Sequence, residues 1–398
     1  MITSVQVTRT LQLPDPVRLE RYRRSPDLGP KILFFSGGTA LRKTSIELTG
    51  YTHNSIHIIT PFDSGGSSAK LRDAFAMPAV GDIRNRLLAL ADRSLQGNPE
   101  IFRLFAHRFP NQGDQDEFVR ELDSMIAAKH PLVANIPDPM RKIIRHHLYL
   151  FVQSMPLNFD LHKASIGNLI LTGGYLENRR HLDPVIFIFS KLVQVRGIVR
   201  PVLNKDLHLI AETENGEVIV GQHNLTGKEV SPVSSKIKKL YLSSSRDCPQ
   251  PTEVLIRKKM NDLIREAELI CYPMGSFYSS LIANLLPKGV GKAVSRNPCP
   301  KVFIPNTAHD PEQYGLELSD QIQTLISYLR QDDPKHISEK DLLDFVILDR
   351  KNFKYAGNPD DKLMQQTGIK VIDCPLISPE SYPYIDEKLL VPILLSLV

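Results

Sequence analysis

The chain has 398 residues, with 49 Lys and Arg against 44 Asp and Glu, for a formal net charge of +5. A hydrophobic content of 42% with 23% charged residues is that of a globular chain, which excludes a disordered or fibrous one. So small a surplus of positive charge, with no long basic run interleaved with aromatics, argues against nucleic acid as a partner and suits an anionic small molecule.

Residues 1–30 are rich in Arg and Pro and read as an N-terminal surface arm. KILFF (31–35) reads as a short buried strand, broken by Ser36, Gly37, Gly38 and Thr39. SIHIIT (55–60) is a second such strand, and the stretch between is long enough for a crossover helix ending near Gly50. That is a βαβ unit with parallel neighbours. VGDIRNRLLALAD (80–92) carries apolar residues at helical spacing, with Asp82 placed to cap it. Residues from about 95 to 163 show helical periodicity without strands and read as an insertion covering one side of the sheet. SIGNLIL (165–171) opens another helix, entered through Gly167 and Asn168.

LHLIAETENGEVIVGQHNL (207–225) reads as a β-hairpin, with Asn215-Gly216 as a two-residue turn. Beyond it come a helix (251–267), the strand ELICYP (268–273), the loop MGSFYSS (274–280), a helix (281–294) and the strand KVFIPN (301–306). The alternation continues through DFVILDR, IKVIDCPL and the final KLLVPILLSL. The expected fold is α/β: a doubly wound, mostly parallel, Rossmann-like sheet over residues 31–398, with a helical insertion and a β-hairpin. The length also allows two domains, but no low-complexity linker marks a boundary.

Cys248, Cys271, Cys299 and Cys374 form no C-x-x-C pair, which argues against structural zinc and a disulfide framework. The first twenty residues lack an apolar core behind a basic start, and the apolar runs are charged or short. A cytoplasmic protein without membrane contact is expected. No G-x-S-x-G or H-E-x-x-H occurs to suggest a hydrolase or metalloprotease. His146 and His147, adjacent in a helix, point apart and make poor joint ligands, and His162 precedes the SIGN segment without a clear role.

Ligands of open parallel sheets lie beyond the carboxyl ends of strands, where loops feed helix N-termini. Three loops stand at such positions. The first, Gly37, Gly38 and Thr39, lets backbone approach a phosphate, though alone it is also an ordinary tight turn. The second is DSGGSSAKLR (63–72). Asp63 suits a divalent metal or a substrate hydroxyl, Gly65 and Gly66 open the backbone, and Ser64, Ser67 and Ser68 bring hydroxyls. Arg72 is positioned either for a bidentate grip on phosphate or for an ordinary pairing with an acid, with a serine capping the helix. The third loop, Gly275, Ser276 and Tyr278, suits a phosphate or a stacked base.

SGGTAL, DSGGSSAKLR, GDIRNRLLAL, SIGNLIL, AELICYPMGSFYSSLIANLL and KVFIPNTAHDPEQYGLELSDQIQTL occur in this order. Together they resemble the CofD/YvcK-like family from about Lys31 onward, nearest in detail to the CofD-related branch of the GAK system. That family includes 2-phospho-L-lactate transferases and gluconeogenesis-factor proteins that bind nucleotide-sugars. The resemblance implies a transferase moving a phosphorylated hydroxy- or enol-acid group from a nucleoside diphosphate donor to an acceptor hydroxyl. A non-catalytic, nucleotide-binding regulator is the alternative. It further implies a Mg²⁺ ion at Asp63, a homodimer, and a shared crevice. Asp82 and Asn85 would line that crevice, Asn168 would face the substrate, and Asn306 would close the sheet edge. Two positions depart from the family pattern. Ser64 stands where a second aspartate is usual, and Met274 where a proline commonly precedes the Gly-Ser turn.

Overall fold

In the computed structural model, the described residues are 10–94, 97–227, 231–357 and 361–398. Residues 1–9 of the expected arm and 95–96 of the expected insertion lie outside them. The short apolar runs form strands as their composition dictates. They are β1 (Ile32–Ser36), β2 (Ile56–Ile59), β3 (Ile198–Pro201), β4 (His208–Thr213), β5 (Val218–Val220), β6 (Ile237–Ser243), β7 (Leu269–Tyr272), β8 (Lys301–Phe303), β9 (Phe345–Leu348) and β10 (Lys370–Asp373).

Seven of these strands make one sheet in the order β10-β9-β8-β7-β1-β2-β3, with every neighbouring pair parallel. All five residues of β1 are buried, as a strand covered on both faces must be. Leu33 and Phe35 pack into a core with the small antiparallel sheet, while Ile32 and Phe34 pack toward the C-terminal helix Glu387–Ser396. Ile59 and Val199 join a third core built from the helices Pro99–Ala106, Gln115–Ile126, Met140–Ser154, Ile166–Glu177 and Leu182–Leu192. The doubly wound α/β architecture is therefore the observed one.

Several local expectations change. The hairpin is part of a three-stranded antiparallel sheet, β5-β4-β6, whose third strand carries two exposed lysines in succession and so hides its alternation. Its turn has three residues, Glu214 to Gly216, because Thr213 N–H bonds Glu217 O at 3.0 Å. Only Gly216 of the Asn-Gly pair takes a positive φ, +87°, the geometry of a turn closed by a left-handed residue. Asp82 does not cap its helix. Val80 occupies that position, and Asp82 lies in the first turn of Gly81–Leu90, where its charge still favours the helix end. Neither Ser67 nor Ser68 is a cap, since the helix Gly66–Phe75 is capped by Gly65. Within the expected arm, Pro16–Arg24 is a helix capped by Asp15 and docked on the C-terminal helix. Asp15 N–H donates to Ser396 Oγ at 2.8 Å, and Arg18 donates to Ser396 O at 3.2 Å.

Helices Met140–Ser154 and Ile166–Glu177 approach closely because Gly173 lies against the backbone carbonyl of His147. A methyl group at Gly173 would collide with that carbonyl. Gly173→Ala is therefore expected to destabilise the fold by about 1–3 kcal/mol, read as a lowered midpoint of urea unfolding.

Candidate functional site

The sheet topology creates one special position. From β1 the chain proceeds outward to β2 and β3, whereas from β7 it proceeds the other way to β8, β9 and β10. Strand order reverses between β1 and β7, and a ligand crevice forms outside the carboxyl ends at such a switch point. A cleft of about 270 Å³ lies there. The turn after β1 supplies Gly37, Gly38 and Thr39, the loop after β2 supplies Asp63 and Gly65, and the turn after β7 supplies Met274, Gly275 and Ser276. Three loops far apart in sequence thus converge.

Asp82 enters the cleft from the helix Gly81–Leu90 and stands against the first turn. A methyl group on Gly38 would collide with Asp82 Oδ1, and one on Gly37 with Ser280 Oγ. Beneath the same turn lies Arg86, fully buried and one helical turn after Asp82. It donates to the carbonyls of Gly37 at 3.0 Å, Gly38 at 3.4 Å and Leu41 at 3.0 Å, and to the hydroxyl of Ser45. Burial brings its guanidinium down to about 10, opposed by the Asp82 carboxylate, so it stays cationic at neutral pH. The turn therefore rests on a fixed positive charge. Arg86 was missed in the sequence; its place one helical turn after Asp82, on the same helix face, is the signal that could have found it.

The Asp63 loop is shaped by its own carboxylate, with Oδ1 accepting from Gly65 N–H at 3.1 Å. Gly66 takes φ +48°. Ser64 is joined to His223: Ser64 Oγ lies 2.7 Å from His223 Nδ1 and accepts from His223 N–H at 3.2 Å. His223, Gln222 and Thr226 line the crevice from the short helix that follows β5. Nothing in their local sequence pointed to them.

Other predicted residues take second rank or turn away. Asn168, buried, donates to Ser67 Oγ at 3.3 Å, and Ser68 packs with it around Gly81, 3.5 Å from Asp63 Oδ2 for a methyl placed there. Asn85 accepts from Arg84 at 2.6 Å and does not line the cleft. Asn306 braces the third turn, accepting from Gly275 N–H at 2.8 Å and donating to Gly275 O at 2.7 Å. Arg72 does not reach the crevice. Its side chain is 1% exposed and locked to Asp206 at 2.7 Å and to Phe62 O and Leu207 O, so the pairing with an acid is the one found. Tyr278 is also a core residue, its hydroxyl donating to Ile237 O at 3.3 Å in the small sheet.

The segment after the third turn, Phe277–Ile282, is a π-helix. Its start is held by acids from the 310–312 turn. Asp310 accepts from Phe277 N–H, and buried Glu312 accepts from the amides of Tyr278 and Ser279, each at 2.8 Å. Burial, with the Asp310 charge beside it, pushes the Glu312 carboxyl up to about 8.

No group of three or more His, Cys, Asp or Glu suited to a metal ion occurs among the described residues. Mg²⁺ commonly takes one or two carboxylates and completes its shell with substrate phosphates and water. Asp63 and Asp82 in one crevice fit that donor set. No helix among the described residues is long and apolar enough to cross a membrane.

A family model described as 2-phospho-L-lactate transferase CofD matches residues 32–377. The gluconeogenesis factor of Bacillus subtilis (strain 168) is 30% identical over 310 residues, covering 75% of each chain. The putative gluconeogenesis factor of Thermoanaerobacterium thermosulfurigenes is 28% identical over 389 residues, 93% of this chain and 97% of that one. A crystal structure of a UPF0052-family protein from Bacillus halodurans superimposes with a TM-score of 0.67 at 22% identity, over 92% of this chain and 99% of that chain. This last likeness is one of fold.

Two outcomes follow from this geometry. Arg86→Met leaves the Gly37 and Gly38 carbonyls without their donor, while Leu41 O keeps the Ser45 amide and hydroxyl, and is expected to cost about 1–3 kcal/mol for each carbonyl left unpaired, with Arg86→Lys intermediate in thermal unfolding. Folded Glu312 keeps its proton up to about 8, whereas its unfolded value is 4.5. Its contribution is therefore full below 4.5 and is lost as pH rises through about 8. Unfolding midpoints measured from pH 4 to 9 should fall less steeply in Glu312→Gln than in the wild type.

Proposed function

This chain belongs to the 2-phospho-L-lactate transferase CofD family, and on that premise we propose that its crevice binds a nucleotide-bearing diphosphate and supports group transfer. The observation that carries this reading is the convergence of the β1, β2 and β7 loops at the switch point of the sheet. In this reading the protein moves a phosphorylated hydroxy- or enol-acid group from a nucleoside diphosphate donor to an acceptor hydroxyl.

Such chemistry asks the protein mainly to position groups and offset charge. The Gly37-Gly38 turn receives the diphosphate, with Arg86 beneath it as a fixed counter-charge that need not reorganise. Gly275 and Ser276, braced by Asn306, close the opposite side. Asp63 orients the acceptor hydroxyl and, with Asp82, would hold a Mg²⁺ ion. When bound, that ion would neutralise charge on the diphosphate.

One observation favours a second reading, that of a nucleotide or nucleotide-sugar sensor without turnover. Ser64 stands where a second carboxylate would be, and its hydroxyl is engaged by His223. The relatives' name, gluconeogenesis factor, names no transferred group.

A thermal-shift titration with nucleoside diphosphates and nucleotide-sugars, with and without Mg²⁺, tests the crevice itself, because a ligand of the folded state raises its stability by mass action. At a concentration of about 100 times Kd the expected gain is about 2.7 kcal/mol. No stabilisation by any member of the panel would sink both readings. Asp63→Asn then separates them: loss of turnover together with Mg²⁺ dependence supports the transferase, and a change in affinity alone supports the sensor.

A further inference from the structure

The crevice has an unusual charge balance for a site that receives phosphate. Among the described residues lining it, the carboxylates of Asp63 and Asp82 are the anions, and there is no lysine or arginine. Arg86 acts from beneath the turn, screened from the cleft by the backbone it holds. His223 is the one lining side chain able to present a ring N–H to an anion.

The hydrogen bonds around Ser64 bear on which nitrogen carries that proton. Ser64 Oγ already accepts the His223 backbone N–H at 3.2 Å. Ser64 Oγ and Nδ1 lie 2.7 Å apart, within hydrogen-bond distance for a proton on either atom. Nδ1 is the one hydrogen-bond acceptor of the Ser64 hydroxyl proton among the described residues, so the tautomer we assign has that hydroxyl donating to Nδ1 and the ring proton on Nε2. A methyl group on Gly221 would sit 2.9 Å from Ser64 Oγ and 3.1 Å from His223 Cε1, so this wall has no room for a side chain that would displace the ring. The neighbouring Gln222 is about nine-tenths buried, and its Oε1 has no hydrogen-bond partner among the described residues.

We propose that His223, oriented by Ser64, is a ligand-binding residue whose Nε2–H donates directly to an oxygen of the bound diphosphate. Ser64 and His223 together form a hydrogen-bonding clamp at this wall. Part of the grip on the diphosphate consequently needs no divalent cation. This rests on the crevice reading above and names one side chain that would hold the diphosphate there.

Calorimetric titration with inorganic pyrophosphate, GDP and UDP, each in Mg²⁺ and in EDTA, tests it on the full chain. His223→Phe should weaken the probe that binds by about tenfold or more in both buffers, on the scale of a lost hydrogen bond to a charged group. His223→Gln, whose amide nitrogen falls near Nε2, should recover most of that loss, and Ser64→Ala should give a smaller loss. Histidine ¹⁵N NMR of the unliganded protein should show Nε2 protonated and Nδ1 bare, with the Nε2–H proton shifting on addition of pyrophosphate. A proton found on Nδ1, or wild-type affinity in His223→Phe while Gly38→Ala abolishes binding, overturns the role of His223 and leaves the crevice standing. A wild type that binds none of the three probes overturns the crevice and this inference together.

Discussion

The parallel pairing of β1 with β7 is the constraint from which the site follows. The two strands are hydrogen-bonded neighbours, yet their connections leave in opposite directions across the sheet. No crossover helix can cover the gap above their carboxyl ends. The loops that leave them must turn tightly, and both do so on paired small residues, Gly37-Gly38 and Gly275-Ser276. Everything else at the rim serves to hold those turns open. Arg86 ties down the first by its carbonyls, Asn306 ties down the second through both the amide and the carbonyl of Gly275, and Asp63 folds its own loop on the far side of the first, after β2.

This arrangement separates the two jobs of charge in the molecule. Two of the buried cations, Arg72 and Arg86, bind backbone carbonyls and, in the case of Arg72, Asp206, and they fix the positions of loops. The crevice itself is lined by carboxylates, hydroxyls, one imidazole and bare backbone. An anionic ligand would then meet dipoles fixed in advance, with the full positive charge one layer deeper. Such a layout costs little reorganisation on binding and is compatible with either catalysis or sensing.

Much of the fold was legible because local and global signals agree. β1, β2, β7 and β8 are short apolar runs ending in small or polar residues, and their order forces a parallel sheet. β3 and β6 were not legible. β3 is a four-residue edge strand with Arg200 and an exposed Ile198, and Lys238-Lys239 interrupts the alternation of β6. The glycine turns and Asp63 could be found from their place after strands, and Asp82 from the family resemblance of GDIRN. His223 could not, because it meets Ser64 across 159 positions through a sheet whose third strand was unseen. Arg72 and Tyr278 were misplaced for a related reason. A motif shows that a residue is near a loop but not which side of the helix it occupies, and both side chains turn into the core.

The π-helix at Phe277–Ile282 carries one more consequence. An extra residue in a turn rotates all that follows by about 100° around the axis. With that added rotation a single segment points Tyr278 into the antiparallel sheet, yet sets Ser280 beside Gly37 and lets Asn284 donate to Ser36 O at 3.0 Å. Excising one residue there would restore ordinary helical phase and unlatch the β7 side of the cleft from the end of β1. The wide turn is thus a phase adjuster, and the spacing of residues 277–284 is as much a determinant of the cleft as the identity of any side chain within it.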